Sequence, residues 1–177
     1  MENTIKNKQN ILKDFTNDRG EKIHFEIVYD SLGRLIRQKQ TFYHHNDSEY
    51  SYCFERYKGN LSDKRLYHIT FDSKMENILS DGLLPRVGGY YSDHWVGLSN
   101  VAEIRELLLP GVFFTLDEPV NHWPPKKGVP VIAIDGDTLD PNLVMSDSEI
   151  DKSIFYLGRI PPDKLKVYFY DGPESEE

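Results

Sequence analysis

Residues 65–85 read RLYHITFDSKMENILSDGLLP, and the reading of this stretch decides the fold. Arg65-Leu66-Tyr67-His68-Ile69-Thr70 alternates apolar and polar side chains, the pattern of a short strand. Asp72 or Ser73 then stands where a helix N-cap is expected, and Met75, Ile78 and Leu79 recur on one face of the helix that follows. Gly82 is placed to stop that helix, because glycine alone enters the left-handed region without a steric cost. Leu83-Leu84-Pro85 leads the chain away.

Working toward the C-terminus, Arg86–Asp93 is a loop containing Gly88-Gly89 and Tyr90-Tyr91. His94–Leu98 reads as a strand and Val101–Leu109 as a second helix, ended by Pro110-Gly111. Strands are expected at Val112–Thr115, Val129–Ile134, Ile154–Leu157 and Leu165–Tyr170. The acidic, turn-rich stretch Asp135–Asp147 separates the middle two. Working toward the N-terminus, Ile23, Phe25, Ile27 and Tyr29 alternate with polar residues. Asp30-Ser31-Leu32-Gly33 supplies a turn, and Arg34–Tyr43 alternates again, so 22–43 reads as a β-hairpin. Tyr50–Tyr57 adds a third strand. Strands in number with two short helices predict an α+β chain. Its expected parts are a polar lead-in over 1–20, a small antiparallel β-extension over 21–62, a main domain over 63–171 and a mobile tail over 172–177.

Composition narrows the functions. A chain of 177 residues with 38% hydrophobic content is long and apolar enough to bury a core. No apolar run approaches the ~20 residues that span a bilayer, so no membrane partner is expected. The N-terminal MENTIKNKQNILKDF lacks the apolar stretch of a secretory signal. The lone Cys53 excludes an intramolecular disulfide and a four-thiolate zinc site. A cytoplasmic location is therefore expected, with export as an effector by another route left open. A net charge of −8 argues against general nucleic-acid binding, which needs a basic footprint. His44 and His45 are adjacent and would face opposite sides of a strand, so with His94 they make no metal-ligand spacing.

The block LYHIT, then ENILSDGL, then HWVGLS resembles the ADP-ribosyltransferase-like superfamily, over roughly residues 65–170. The later text VIAIDGDTL and SIFYLGRIPPDKLKV is similar to the closing strands of its small members. The resemblance implies a split β-sheet core with two short helices, preceded here by the small antiparallel region. It implies NAD as substrate and a macromolecular acceptor. Transfer from NAD breaks the bond between ribose and nicotinamide through an oxocarbenium-like state. By resemblance, the strand carrying Tyr67 and His68 would pair with the nicotinamide amide through its backbone. His68 would hydrogen-bond the adjoining ribose, and Thr70 would support it. The aromatic that stacks nicotinamide would be Tyr90 or Tyr91, or Phe113 or Phe114 in the run GVFFT.

One departure stands out. Many of these transferases carry a Glu near the start of the penultimate strand, which falls here at Lys152-Ser153. Glu149 and Asp151 are the nearest carboxylates and become the candidate catalytic acids beside His68. Two alternatives follow: a degenerate binding or regulatory module, or an enzyme like the RNA 2′-phosphotransferases. The latter use Arg and His instead of Glu, and Gly82-Leu83, Arg86 and His94 echo their pattern. The hairpin text YDSLGRLIRQ is also similar to a single YD repeat of toxin-encasing shell proteins, which suggests a toxin or effector role.

Overall fold

The computed structural model describes residues 9–16, 20–43, 48–70, 72–87, 102–116, 128–147 and 152–171. They form ten strands and two short α-helices, with three 3-10 turns. The chain divides into two compact units: one from 1–56, 87–108 and 146–149, the other from 57–86, 109–145 and 150–177.

The first unit contains β1 (Ile11–Thr16), β2 (Lys22–Tyr29), β3 (Leu35–Tyr43) and β4 (Glu49–Arg56), in that spatial order. All three pairings are antiparallel. Residues 11–16, expected in a loose lead-in, are a paired strand because Ile11 and Phe15 stand opposite Ile27 and Ile23. The hairpin turn is closed by Gly33 at φ 72° and by Asp30, whose carboxylate accepts from the backbone of Leu32 and Arg34. One face of the sheet is sealed, with Ile23, Phe25, Ile27, Phe42, Tyr52 and Phe54 all buried. Helix α2 (Ala102–Leu107) belongs to this unit and contributes the fully buried Ile104.

Two glutamines share that sealed face. Gln38 and Gln40 are completely buried. Gln40 Nε2 donates to Gln38 Oε1 at 2.7 Å, and Gln38 Nε2 donates to the Leu107 carbonyl at 2.6 Å. Burying an amide is tolerable only when such partners replace water.

The second unit has strand order β9-β6-β5-β7-β10, from β5 (Arg65–Ile69), β6 (Val112–Leu116), β7 (Pro130–Asp135), β9 (Ser153–Tyr156) and β10 (Lys166–Phe169). Next to β9 comes β8 (Val144–Asp147), of which Val144 and Met145 belong here. The core is one cluster: Leu66, Val112, Phe114, Ile132, Ile134, Val144, Ile154 and Tyr156 from the strands, closed over by Leu61, Leu83, Leu139 and Ile160. Helix α1 (Asp72–Asp81) packs Met75 and Ile78 against it. Gly82 ends α1 at φ 83°, its N–H donating to the Ile78 carbonyl at 2.8 Å. A Cβ at Gly82 would stand 2.1 Å from the Ile160 carbonyl oxygen, so two independent constraints demand glycine there.

The expectation of an α+β chain on a split β-sheet core with two helices is overturned. The helices run only ten and six residues, against ten strands, and the described chain is mostly antiparallel β. Helical periodicity marks where helices occur but gives no weight to how little of the chain they hold. Strand β8 also lay hidden within the acidic, turn-rich stretch, where Val144 and Met145 are fully buried. No helix among the described residues is long and apolar enough to cross a membrane.

Candidate functional site

Strand β5 lies between β7 and β6. Its ladder with β7 runs its full length, from Arg65 opposite Asp135 to Ile69 opposite Val131. Its ladder with β6 stops after Leu66 opposite Leu116 and Tyr67 opposite Thr115. On its other side β6 continues to pair with β9, from Thr115 opposite Ser153 to Val112 opposite Tyr156. A notch therefore opens between β5 and β6, beginning at His68.

The His68 side chain enters this notch. Its Nδ1 lies 2.9 Å from the carbonyl oxygen of Phe113. A carbonyl only accepts, so Nδ1 carries the proton and Nε2 is left as a lone-pair acceptor with no partner among the described residues. Burial lowers the imidazole pKa from its usual 6.5, outweighing the Phe113 carbonyl, which acts the other way. The ring is thus neutral at pH 7, in one tautomer, held by main chain. Such a group accepts a hydrogen bond from a sugar hydroxyl without paying to reorient.

The far end of the notch is closed by main chain. Arg86 N–H donates to the Gly111 carbonyl at 3.3 Å and Gly111 N–H to the Arg86 carbonyl at 3.2 Å. Backbone groups of an antiparallel strand alternate sides, so Gly111 and Phe113 both address the β5 side of β6, with Arg86 and His68 respectively. Behind Arg86, Leu83 exchanges two backbone bonds with Ile160, at 2.9 and 3.0 Å, which fixes the exit from α1.

The other sequence-predicted residues fall as follows. Tyr67 projects to the opposite face of β5 from His68, edge-on to Tyr168 with ring centres 5.8 Å apart. Burial first, then the Tyr67 neighbour, pushes the Tyr168 hydroxyl up to about 12. Thr70, just beyond β5, is half-buried. Phe114 is 1% exposed, with its ring centre 5.9 Å from that of His68. It is a core residue and offers no open face for stacking. Phe113 is half-buried and packs on Phe155 at 4.5 Å, on the face of the sheet opposite the His68 side chain, so it meets His68 through its carbonyl and not its ring. Tyr90, Tyr91, Glu149, Asp151, His94 and the pair His44-His45 lie outside the described residues.

At the start of β9, where the resemblance implies a Glu, Ser153 is buried and its Oγ donates to the Phe114 carbonyl at 3.2 Å. The preceding Lys152 adopts φ 59°, and its carbonyl accepts from Leu116 N–H at 2.8 Å. Sequence reasoning missed Ser153 and the Phe113 carbonyl as partners of the site. The only available signal was alternation along GVFFT, which says that one phenylalanine faces the core but not which. No group of three metal-binding side chains occurs among the described residues.

The chain was compared with protein-family models, with curated proteins and with solved structures. It matches none of them.

Proposed function

We propose that the chain binds NAD at the notch between β5 and β6 and transfers ADP-ribose from it to a macromolecular acceptor. The observation that carries this reading is the fixed tautomer of His68. Nδ1–H is anchored on the Phe113 carbonyl, and Nε2 is held ready to accept from a ribose hydroxyl. The interrupted ladder supports it further, because strand edges that stop pairing can meet the donor and acceptor of a carboxamide. Glu149 or Asp151 acts as the acid that stabilises the oxocarbenium-like state.

Incubation with NAD, following released nicotinamide by chromatography, tests this reading. Release should persist in the wild type and vanish in His68→Asn, which keeps a donor near the Nδ1 position but removes the Nε2 acceptor. A Glu149→Ala/Asp151→Ala double variant should bind NAD and release nothing. Saturating NAD, at 100 times its dissociation constant, should stabilise the wild type by about 2.7 kcal/mol. Absence of both release and stabilisation would sink the reading.

A second reading is favoured by Ser153. Its buried hydroxyl occupies the position where a catalytic Glu is implied, and it is already spent on the Phe114 carbonyl. On this reading the protein is a binding or regulatory module that holds NAD without cleaving it. Stabilisation by NAD with no nicotinamide release would select it. An RNA 2′-phosphotransferase-like reading gains little in a chain of net charge −8.

A further inference from the structure

We infer that β10 is a docking edge for a second copy of this chain, the two β10 strands pairing antiparallel about a two-fold axis beside Tyr168. The inference concerns the outer edge of the second unit and stands whether or not NAD binds. Three observations carry it.

The first is the edge itself. β10 ends the strand order of the second unit, with β7 on one side and no strand on the other among the described residues. Gly128, at φ 83°, donates its N–H to the Tyr170 carbonyl at 2.7 Å, and Tyr170 N–H donates to the Val129 carbonyl at 3.0 Å. This bulge turns both backbone groups of Tyr170 toward β7. Antiparallel backbone groups alternate sides, so Tyr168 and Lys166 also address β7, and the N–H and C=O of Val167 and Phe169 point outward. Edge strands are commonly blunted by proline or by a projecting lysine. The run KVYF has no proline, and its single lysine, Lys166, is held by Asp135.

The second is the pair of side chains that the same two residues carry. Val167 and Phe169 stand opposite Ile132 and Pro130 of β7, on one face of the sheet, and are 38% and 69% exposed. Outward backbone groups beside exposed apolar side chains are what an added strand covers. The third is charge, which selects the occupant. Lys164 and Lys166 stand at the start of the strand and Asp171 just past its end. Antiparallel pairing with Val167 opposite Phe169 of the second copy sets Asp171 of one copy across from Leu165 of the other, between the two lysines. Parallel pairing would set lysine beside lysine. In the antiparallel register each Val167–Phe169 pair exchanges both its backbone hydrogen bonds, and its side chains meet on one face. The strand is thus complementary to itself in backbone, in apolar contact and in charge. Pairing about a two-fold axis uses both edges, so assembly closes at two copies.

The test is sedimentation equilibrium of the full chain over a concentration series from micromolar to near-millimolar. An edge of four residues buries less than the roughly 1,200 Å² of stable pairs, so association should be weak and concentration-dependent. Wild type should move from the mass of one chain toward that of two. Phe169→Pro removes the outward N–H and leaves the β7 ladder whole. Losing that bond on both sides of the axis should weaken association about tenfold or more. Phe169→Lys should weaken it as well. Leu12→Lys removes an apolar side chain from β1 that is 70% exposed, and should leave association unchanged. Asp171→Lys should weaken it severalfold, and Lys164→Glu/Asp171→Lys, which exchanges the charges of the two ends, should recover part of that loss. Melting temperatures of the dilute variants should match wild type, which separates a lost contact from a lost fold. A wild type that stays at one chain throughout, that grows beyond two, or that loses as much through Leu12→Lys as through Phe169→Lys would overturn the inference. A double variant no better than Asp171→Lys would overturn the antiparallel register.

Discussion

The ladder between β3 and β4 passes through seven residue pairs without interruption, whereas that between β5 and β6 stops after two. In the first region the β3 and β4 backbones pair with each other throughout, and its apolar side chains need only fit the face they are given. In the second, the Phe113 carbonyl is left to the imidazole of His68. Where a ladder continues, an apolar side chain can be exchanged for another of similar size. Where it fails, a side chain has entered the hydrogen-bonding of the backbone, and its chemistry matters as much as its volume.

The largest effects should show what the two regions share. Phe25→Ala in β2 and Phe114→Ala in β6 each remove a ring that is 0% or 1% exposed, and each should cost about 3–5 kcal/mol in denaturant unfolding. If Phe114→Ala cost well under 1 kcal/mol, the notch would be loosely packed and the contrast would be one of order, not of pairing. Next comes Gly82→Ala. The positive φ and the Ile160 carbonyl both oppose a Cβ, so a loss of at least about 1–3 kcal/mol is expected in thermal melts.

A smaller loss separates the regions directly. His68→Ala leaves the Phe113 carbonyl without its donor and should cost about 1–3 kcal/mol, much of which His68→Asn recovers. Thr41, whose hydroxyl meets Ser51 at 3.1 Å across an intact ladder, provides the control: Thr41→Val should cost less than His68→Ala. Equal costs would mean that the interrupted ladder confers no special dependence on its histidine.

The smallest effects are read against pH, and the two regions should respond in different windows. The folded pKa of His68 is depressed below 6.5 by burial. The stability owed to its neutral ring is present above pH 6.5 and is lost as pH falls through the lower folded value; His68→Asn should flatten this part of the profile. In the hairpin turn, the Arg34 backbone bond first, then the Arg34 and Arg56 side chains, hold Asp30 at about 2 against an ordinary 3.8. That contribution is present above pH 3.8 and is lost as pH falls through about 2. An unfolding profile of Asp30→Asn that still showed the acid-side loss would refute it.

The legible part of the fold was the part governed by local alternation. β2, β3 and β4 follow from Ile23-Phe25-Ile27 and its neighbours, and α1 follows from Met75, Ile78 and Gly82. The balance of the fold was not legible, because β8 is only four residues long and its burial depends on partners far off in sequence. At the site, His68 stood out in the sequence, but its role depended on where β6 stops pairing. That is a property of two strands 45 residues apart, Phe113 being the partner. Phe113 and Phe114 were indistinguishable for the same reason: only the register with β9 assigns one to the core.

The buried glutamines of the first unit also set an order of events during synthesis. Gln38 and Gln40 emerge with β3, but the carbonyl that receives the Gln38 amide belongs to Leu107, 69 residues later. A ribosome that has just completed β4 has made four strands in which Gln40 can already donate to Gln38, but the Gln38 amide has no acceptor yet. The nascent sheet must wait through β5 and α1 before α2 arrives to close it. A chain arrested shortly after Val87 should therefore leave β1 to β4 open to protease, while one released after Leu109 should protect them.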